Sequence, residues 1–138
     1  MLTSNIILNA NYAYSHSQIK DYNPLNTNDP VDLTDKYLSD VPNHIGSVSV
    51  NWRNKIVNAG LTAKYMGERW VNDLNEVDEI VLDDQYPAYT TVDLKLSKSF
   101  KMIFGSLSIQ NILDEKFYDR KGAVSPGRFI TLELGVKF

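Results

Sequence analysis

The sequence contains no cysteine, which excludes disulfides and thiolate metal sites. It has no excess of positive charge: the formal net charge is −3, and Lys and Arg are scattered, so no nucleic-acid partner is expected. No run approaches the roughly 18 apolar residues of a membrane-crossing helix, which excludes that helix but leaves open a membrane-crossing strand. The opening residues, MLTSNIILNANY, lack a basic region, a continuous apolar run and a small-residue cleavage site, so no secretory signal is expected there. Histidine is limited to His16 and His44, and there is no G-x-S-x-G elbow. An enzyme has little to be built from, and no catalytic residue, metal site or cofactor is expected. The acidic stretch DLNEVDEIVLDD (73–84) offers Asp73, Asn75 and Glu79 as hard oxygens, but it lacks the Gly and closing Glu of an EF-hand loop. It reads as a solvated loop.

What the sequence does have is alternation. Residues 5–15 put Ile6, Leu8, Ala10, Tyr12 and Tyr14 on one face, with Asn5, Asn9, Asn11 and Ser15 on the other together with Ile7 and Ala13. Residues 44–53 set Val48, Val50 and Trp52 against Ser47, Ser49, Asn51 and Arg53. Segments 56–66, 89–100 and 128–138 repeat the pattern, and 102–111 follows it less cleanly. A period of two, sustained over roughly ten residues, marks a strand with one apolar face. Soluble strands usually run about five or six residues, whereas a tilted strand crossing a bilayer needs roughly nine to eleven. These six segments have the spanning length.

The connections are regular too. Segments 16–43, 67–88 and 112–127 are long, while only 54–55 and Lys101 separate the other neighbours. In an up-and-down sheet every second connection lies at one edge, so all long loops project one way and all tight turns the other. Outer-membrane barrels have that asymmetry, with long extracellular loops and short periplasmic turns, which would put both ends of this chain on the periplasmic side. On the apolar parity, Trp52, Phe100 and Phe138 fall at the short-turn rim, and Tyr12, Tyr14 and Tyr65 at the opposite rim. Two aromatic belts around an aliphatic band are expected where rings anchor at both membrane–water interfaces. Lys98 shares that parity one step from the turn, where its ammonium can snorkel into the headgroups.

The expected fold is therefore all-β, an antiparallel up-and-down meander of about six long strands forming part of a transmembrane β-barrel. A soluble antiparallel sheet shows the same alternation. The alternative is thus a soluble β-sandwich or small barrel that binds carbohydrate or protein.

From about Val41 onward the chain resembles the C-terminal barrel strands of TonB-dependent outer-membrane receptors. VPNHIGSVSVNW is similar to their vPxH lead-in to a strand, and YMGERWVND to Y-x-G-x-R-(Y/W)-x-x-D. YPAYTTVDLKLSKSF resembles P-x-Y-x-x-(V/F)-D-L-x-(L/A)-x-Y-x-(F/L), except that Ser97-Lys98 stands where Ser-Tyr is usual. LSIQNILDEKFYDR resembles N-L-(F/L)-D-x-x-Y, here Asn111-Ile112-Leu113-Asp114 and then Phe117-Tyr118, and PGRFITLELGVKF resembles the closing strand.

The resemblance implies a wall of a barrel of roughly 22 strands plugged by an N-terminal domain. Such receptors sit in the bacterial outer membrane among its lipid and import scarce ligands, most often ferric siderophores, with energy passed by TonB. Phe138 resembles the aromatic end that the barrel-assembly machinery recognises. Residues 1–138 are expected to be C-terminal strands only, with plug and N-terminal strands absent. Such a piece is not transport-competent alone and is prone to self-association through its open edges. Arg69 and Arg120, at long-loop ends, are candidate contacts for an anionic, siderophore-like ligand. Arg128 is expected to tether the last long loop.

Overall fold

The computed structural model describes residues 5–22, 31–76, 85–120 and 123–137. Ten strands occur in chain order: β1 (Asn5–Tyr14), β2 (His44–Arg53), β3 (Asn58–Met66), β4 (Arg69–Trp70), β5 (Gln85–Tyr86), β6 (Tyr89–Phe100), β7 (Ile103–Gln110), β8 (Tyr118–Arg120), β9 (Ala123–Val124) and β10 (Phe129–Val136). Six of them form one antiparallel sheet in the order β1-β2-β3-β6-β7-β10, an up-and-down meander. The other four are two small hairpins, β4-β5 and β8-β9, inside the second and third long connections.

Register carries the sequence pattern across the whole sheet. One face has the row Leu8–Val50–Leu61–Leu94–Ile109–Ile130, and two residues away the row Ile6–Trp52–Ala59–Leu96–Leu107–Leu132. The opposite face has Asn9–Ser49–Thr62–Asp93 and Asn58–Ser97–Ser106–Glu133. Its side chains bond to one another: Asn9 Nδ2 donates to Ser49 Oγ at 3.4 Å, Lys64 Nζ to Asp93 Oδ2 at 2.9 Å, and Ser106 Oγ to Glu133 Oε2 at 3.2 Å. A slip of one residue would put every Asn and Ser among the aliphatic side chains, so the pattern pins the register.

The turns consume residues at the strand ends. Asn54 Oδ1 accepts the N–H groups of Ile56 (2.7 Å) and Val57 (3.1 Å), so the third strand begins at Asn58 instead of residue 56. Lys101 adopts φ 53°, and the β6-β7 turn takes both Lys101 and Met102. Beside it, the ring of Phe104 stands where a Cβ on Gly135 would be, so only glycine fits opposite that ring.

No second layer covers the apolar face among the described residues. Tyr86, in a loop hairpin, is the single buried large apolar side chain there, while Ile6, Leu132 and Leu134 are 70%, 68% and 75% exposed. A soluble sandwich would have interleaved those rows with a facing sheet. Burying one such side chain is worth about 1.5–3 kcal/mol, and contiguous apolar patches beyond a few hundred Å² mark a covered surface. A ten-residue strand is about 33 Å long, and a tilt of about 40° brings it to the ~25 Å apolar band of outer-membrane barrels. No helix among the described residues is long and apolar enough to cross a membrane; β1, β2, β3 and β6, of 9 to 12 residues, have the length instead, while β7 and β10 are shorter than the sequence pattern predicts, at 8 residues each.

Candidate functional site

At the long-loop edge the three long connections are fastened to one another. The first meets the second through Tyr37, whose N–H donates to Asn75 Oδ1 and whose carbonyl accepts from Asn75 Nδ2 at 2.9 Å. Two bonds reinforce the seam: Ser39 N–H to Asp73 Oδ1 at 2.7 Å and Asp40 N–H to the Trp70 carbonyl at 2.8 Å. Asp73 and Asn75 are thus occupied with backbone, and residues 77–84 of the acidic stretch, Glu79 included, lie outside the described residues.

The second connection meets the third through Arg69. Its guanidinium is buried and lies 5.1 Å from the centroid of the Tyr86 ring. Arg69 Nη2 donates to the Tyr118 carbonyl and, at 3.0 Å, to the Asp119 carbonyl, so both hydrogens of that nitrogen are used on the third connection. The Tyr86 and Tyr118 rings stack with centroids 5.4 Å apart, and Tyr89 stacks on Phe117 at 4.0 Å with planes 9° apart. Tyr89 belongs to the polar-face set of β6, so Phe117 brings the third connection over that face. Beneath it lies a concavity of about 510 Å³ whose lining includes Asn11, Ser47, Lys64, Thr91, Phe117 and Asp119.

The third connection is shaped by Asn111 and Asp114, both in the left-handed region at φ 51° and 56°. Buried Asn111 closes a turn on itself, with Nδ2 donating to the Glu115 carbonyl at 2.8 Å and Oδ1 accepting the Glu115 N–H at 3.0 Å. Its own N–H donates to Asp93 Oδ1 at 2.9 Å, locking the turn to β6. Asp114 Oδ1 accepts the Arg128 N–H at 2.7 Å. That bond first, and the Lys116 ammonium second, hold the Asp114 carboxyl below its ordinary pKa. The tether expected of Arg128 is made by its backbone. Gly127, at φ +79°, leaves room for it: a Cβ there would meet Asp114 Oδ1 at 2.5 Å.

The aromatic residues singled out from the sequence divide between the two edges. Tyr12 and Tyr14 flank His44 at the long-loop edge, with the Tyr12 hydroxyl 2.8 Å from His44 Nδ1 and the Tyr14 ring 5.2 Å from the imidazole. Tyr65 lies in the same row as Tyr12, across Gly46. Trp52 and Phe100 sit at the short-turn edge, both exposed on the apolar face. Phe138 lies outside the described residues, and so does the side chain of Arg120, whose backbone ends β8. His16 is engaged with Gln18 at 3.0 Å and edge-on to Tyr37. Sequence reasoning missed Tyr86, Phe117 and Tyr118 as a unit.

Residues 3–112, well over half of the chain, match the family model described as TonB dependent receptor-like, beta-barrel. A search of curated proteins finds no match. The matched stretch runs from β1 through β7; β8 to β10 lie beyond it, and β10 is joined to the sheet by eight paired residues from Phe129↔Gln110 to Val136↔Ile103.

Proposed function

Because the chain belongs to the TonB-dependent receptor β-barrel family, a family of bacterial outer-membrane receptors and transporters, we propose that it forms one wall of an importer for a scarce ligand, a ferric siderophore above all. Its apolar rows face lipid, and its polar face lines the interior. The six strands are the C-terminal strands of a larger cylinder. About eight strands is the smallest closed bacterial barrel, so β1 and β10 pair with further strands of the receptor, or with other copies when the chain stands alone. In full receptors the family's plug fills the interior and TonB supplies the energy.

The observation that carries this reading is the fastened collar of long connections above a polar wall, with Arg69 at its centre. Such a collar gives the loops a fixed shape while leaving the concavity beneath Phe117 open to the polar face. Arg120, at the tip of the β8-β9 hairpin, makes the first contact with an anionic ligand, and Arg69 holds the loops that frame it. The rings of Tyr12, Tyr14, Tyr65, Trp52, Phe100 and Phe138 anchor the wall at the two interfaces, and Phe138 also serves as the assembly signal. The work is binding and transport, with no bond made or broken.

The test is uptake. Cells whose receptor lacks this wall should lose accumulation of radiolabelled iron from at least one ferric siderophore under iron limitation, and restoring the wall should recover it. Unchanged uptake across hydroxamate, catecholate and carboxylate siderophores would sink the ligand assignment. Recovery of the chain outside the outer-membrane fraction would sink the role.

A further inference from the structure

The charges of this chain are sorted by height on the sheet. All but Asp93 and Glu133 of its 17 Asp and Glu residues lie in the three long connections. Among the described residues the charged side chains at the short-turn edge are all cations: Arg53 and Lys55 at the β2-β3 turn, Lys98 and Lys101 at the β6-β7 turn, and Lys137 after β10. All five are exposed, and none forms an ion pair among the described residues. The one carboxylate on an adjoining strand, Glu133, belongs to the polar-face set and bonds to Ser106.

Two contacts join the turns and the end of β10 at this edge. Lys98 Nζ donates to the Lys55 carbonyl, joining the two turns. The Lys137 N–H donates to the Met102 carbonyl at 2.7 Å, which seats the end of β10 beside the second turn. The Lys101 ammonium lies 5.6 Å from the Phe100 ring centroid and Lys98 shares the apolar parity, so these two cations continue the apolar face below Trp52 and Phe100, while Arg53 and Lys137 stand at the same level on the polar parity. Cations bordering a lipid-facing wall stand at the level of phosphate headgroups, where long side chains keep their stems on apolar surface and their heads in water.

We propose that this edge is a docking surface for anionic phospholipid headgroups in the leaflet it enters. The proposal rests on the membrane placement of the apolar face. A zwitterionic headgroup offers no net countercharge to these cations, whereas phosphatidylglycerol does. Each Lys or Arg close to an anionic surface contributes roughly a fivefold preference, and the attraction falls off within a Debye length.

Trp52 is the reporter. The full chain, carrying Trp70→Phe to silence the loop indole, is reconstituted in phosphatidylcholine vesicles. A minor fraction of brominated lipid is added, either phosphatidylglycerol or phosphatidylcholine. The brominated anionic lipid should quench Trp52 several-fold more strongly, and the excess should shrink in high salt. The triple variant Lys55→Gln/Lys101→Gln/Lys137→Gln should cut the excess quenching sharply, leaving only the share of Arg53 and Lys98; Lys98 is kept because it joins the turns. Equal quenching of the native edge would overturn the proposal, as would an excess that the triple variant leaves undiminished. If equal quenching is accompanied by salt-sensitive retention on immobilised poly-glutamate, an acidic protein segment replaces lipid as the partner. Failure of the chain to insert even into pure phosphatidylcholine overturns the membrane placement itself and is read separately, from protease protection of the strands.

Discussion

Arginine placed at three neighbouring positions of β3 separates lipid from the alternatives. Leu61 lies between Val50 and Leu94 in the middle of the apolar face. Thr62, the next residue, points to the polar face between Ser49 and Asp93, and Tyr65 returns to the apolar face in the rim row. Arginine near the bilayer midplane costs about 2–4 kcal/mol, falling to about 0–1 kcal/mol near the interfaces. Leu61 is separated from Tyr65 by four residues, about 13 Å along the strand. Leu61→Arg should therefore cost about 3 kcal/mol, more than a hundredfold in the folding equilibrium, and Tyr65→Arg at most about 1 kcal/mol. Thr62→Arg should be close to neutral, since the Asp93 carboxylate lies opposite. The assay is urea unfolding of the chain in vesicles, followed by protease resistance of the strands, with midpoints compared at constant slope. A protein core beneath the same face would reject arginine at Leu61 and Tyr65 alike, so equal losses at those two positions would refute the lipid-facing wall. A loss at Thr62 as large as that at Leu61 would refute the two-faced sheet.

Three further outcomes follow from the loop geometry. Arg69→Gln removes the charge stacked on Tyr86 and the donors to the Tyr118 and Asp119 carbonyls, and should loosen the seam by about 2 kcal/mol; faster amide exchange in 111–128 with β1 to β3 unchanged is the expected reading, and unchanged exchange there would contradict the seam. Gly127→Ala forces a side chain into the left-handed region against Asp114, at about 1–2 kcal/mol for the backbone alone, and should raise proteolysis of the third connection without releasing β10. The depressed pKa of Asp114 means that its bond to Arg128 contributes fully above the ordinary carboxylate pKa and is lost as pH falls through the lower folded value. Amide exchange at Arg128 should thus accelerate only in acid below the usual carboxylate range, and Asp114→Asn should abolish that acid step.

The sheet was legible because alternation is a local signal repeated along each strand. Six segments, their pairing order and their two faces follow from where Ile, Leu and Val recur at every second residue. The errors were at the ends, where turn chemistry outweighs pattern: Val57 continues the alternation, yet Asn54 captures its N–H and that of Ile56. The collar was not legible in the same way. Arg69 and Tyr118 are 49 residues apart, and the β4-β5 and β8-β9 hairpins have strands of only two or three residues, too short to show a period. Their stability comes from contacts between connections, which no window along one segment can contain. Asn111 and Asp114 were visible as motif residues, but their left-handed backbone and their bonds to Glu115 and Arg128 explain why the motif needs those two side chains.

Every strand of the main sheet lies beside its predecessor in that sheet, with no crossing anywhere in the order. A wall of that kind can be laid down like planking, each new hairpin sealing the raw margin left by the one before. Growth from either side never requires an earlier joint to open, so a half-built wall is already a correct part of the finished one. The hazard moves to the outermost plank, which at each stage will accept any extended backbone offered to it.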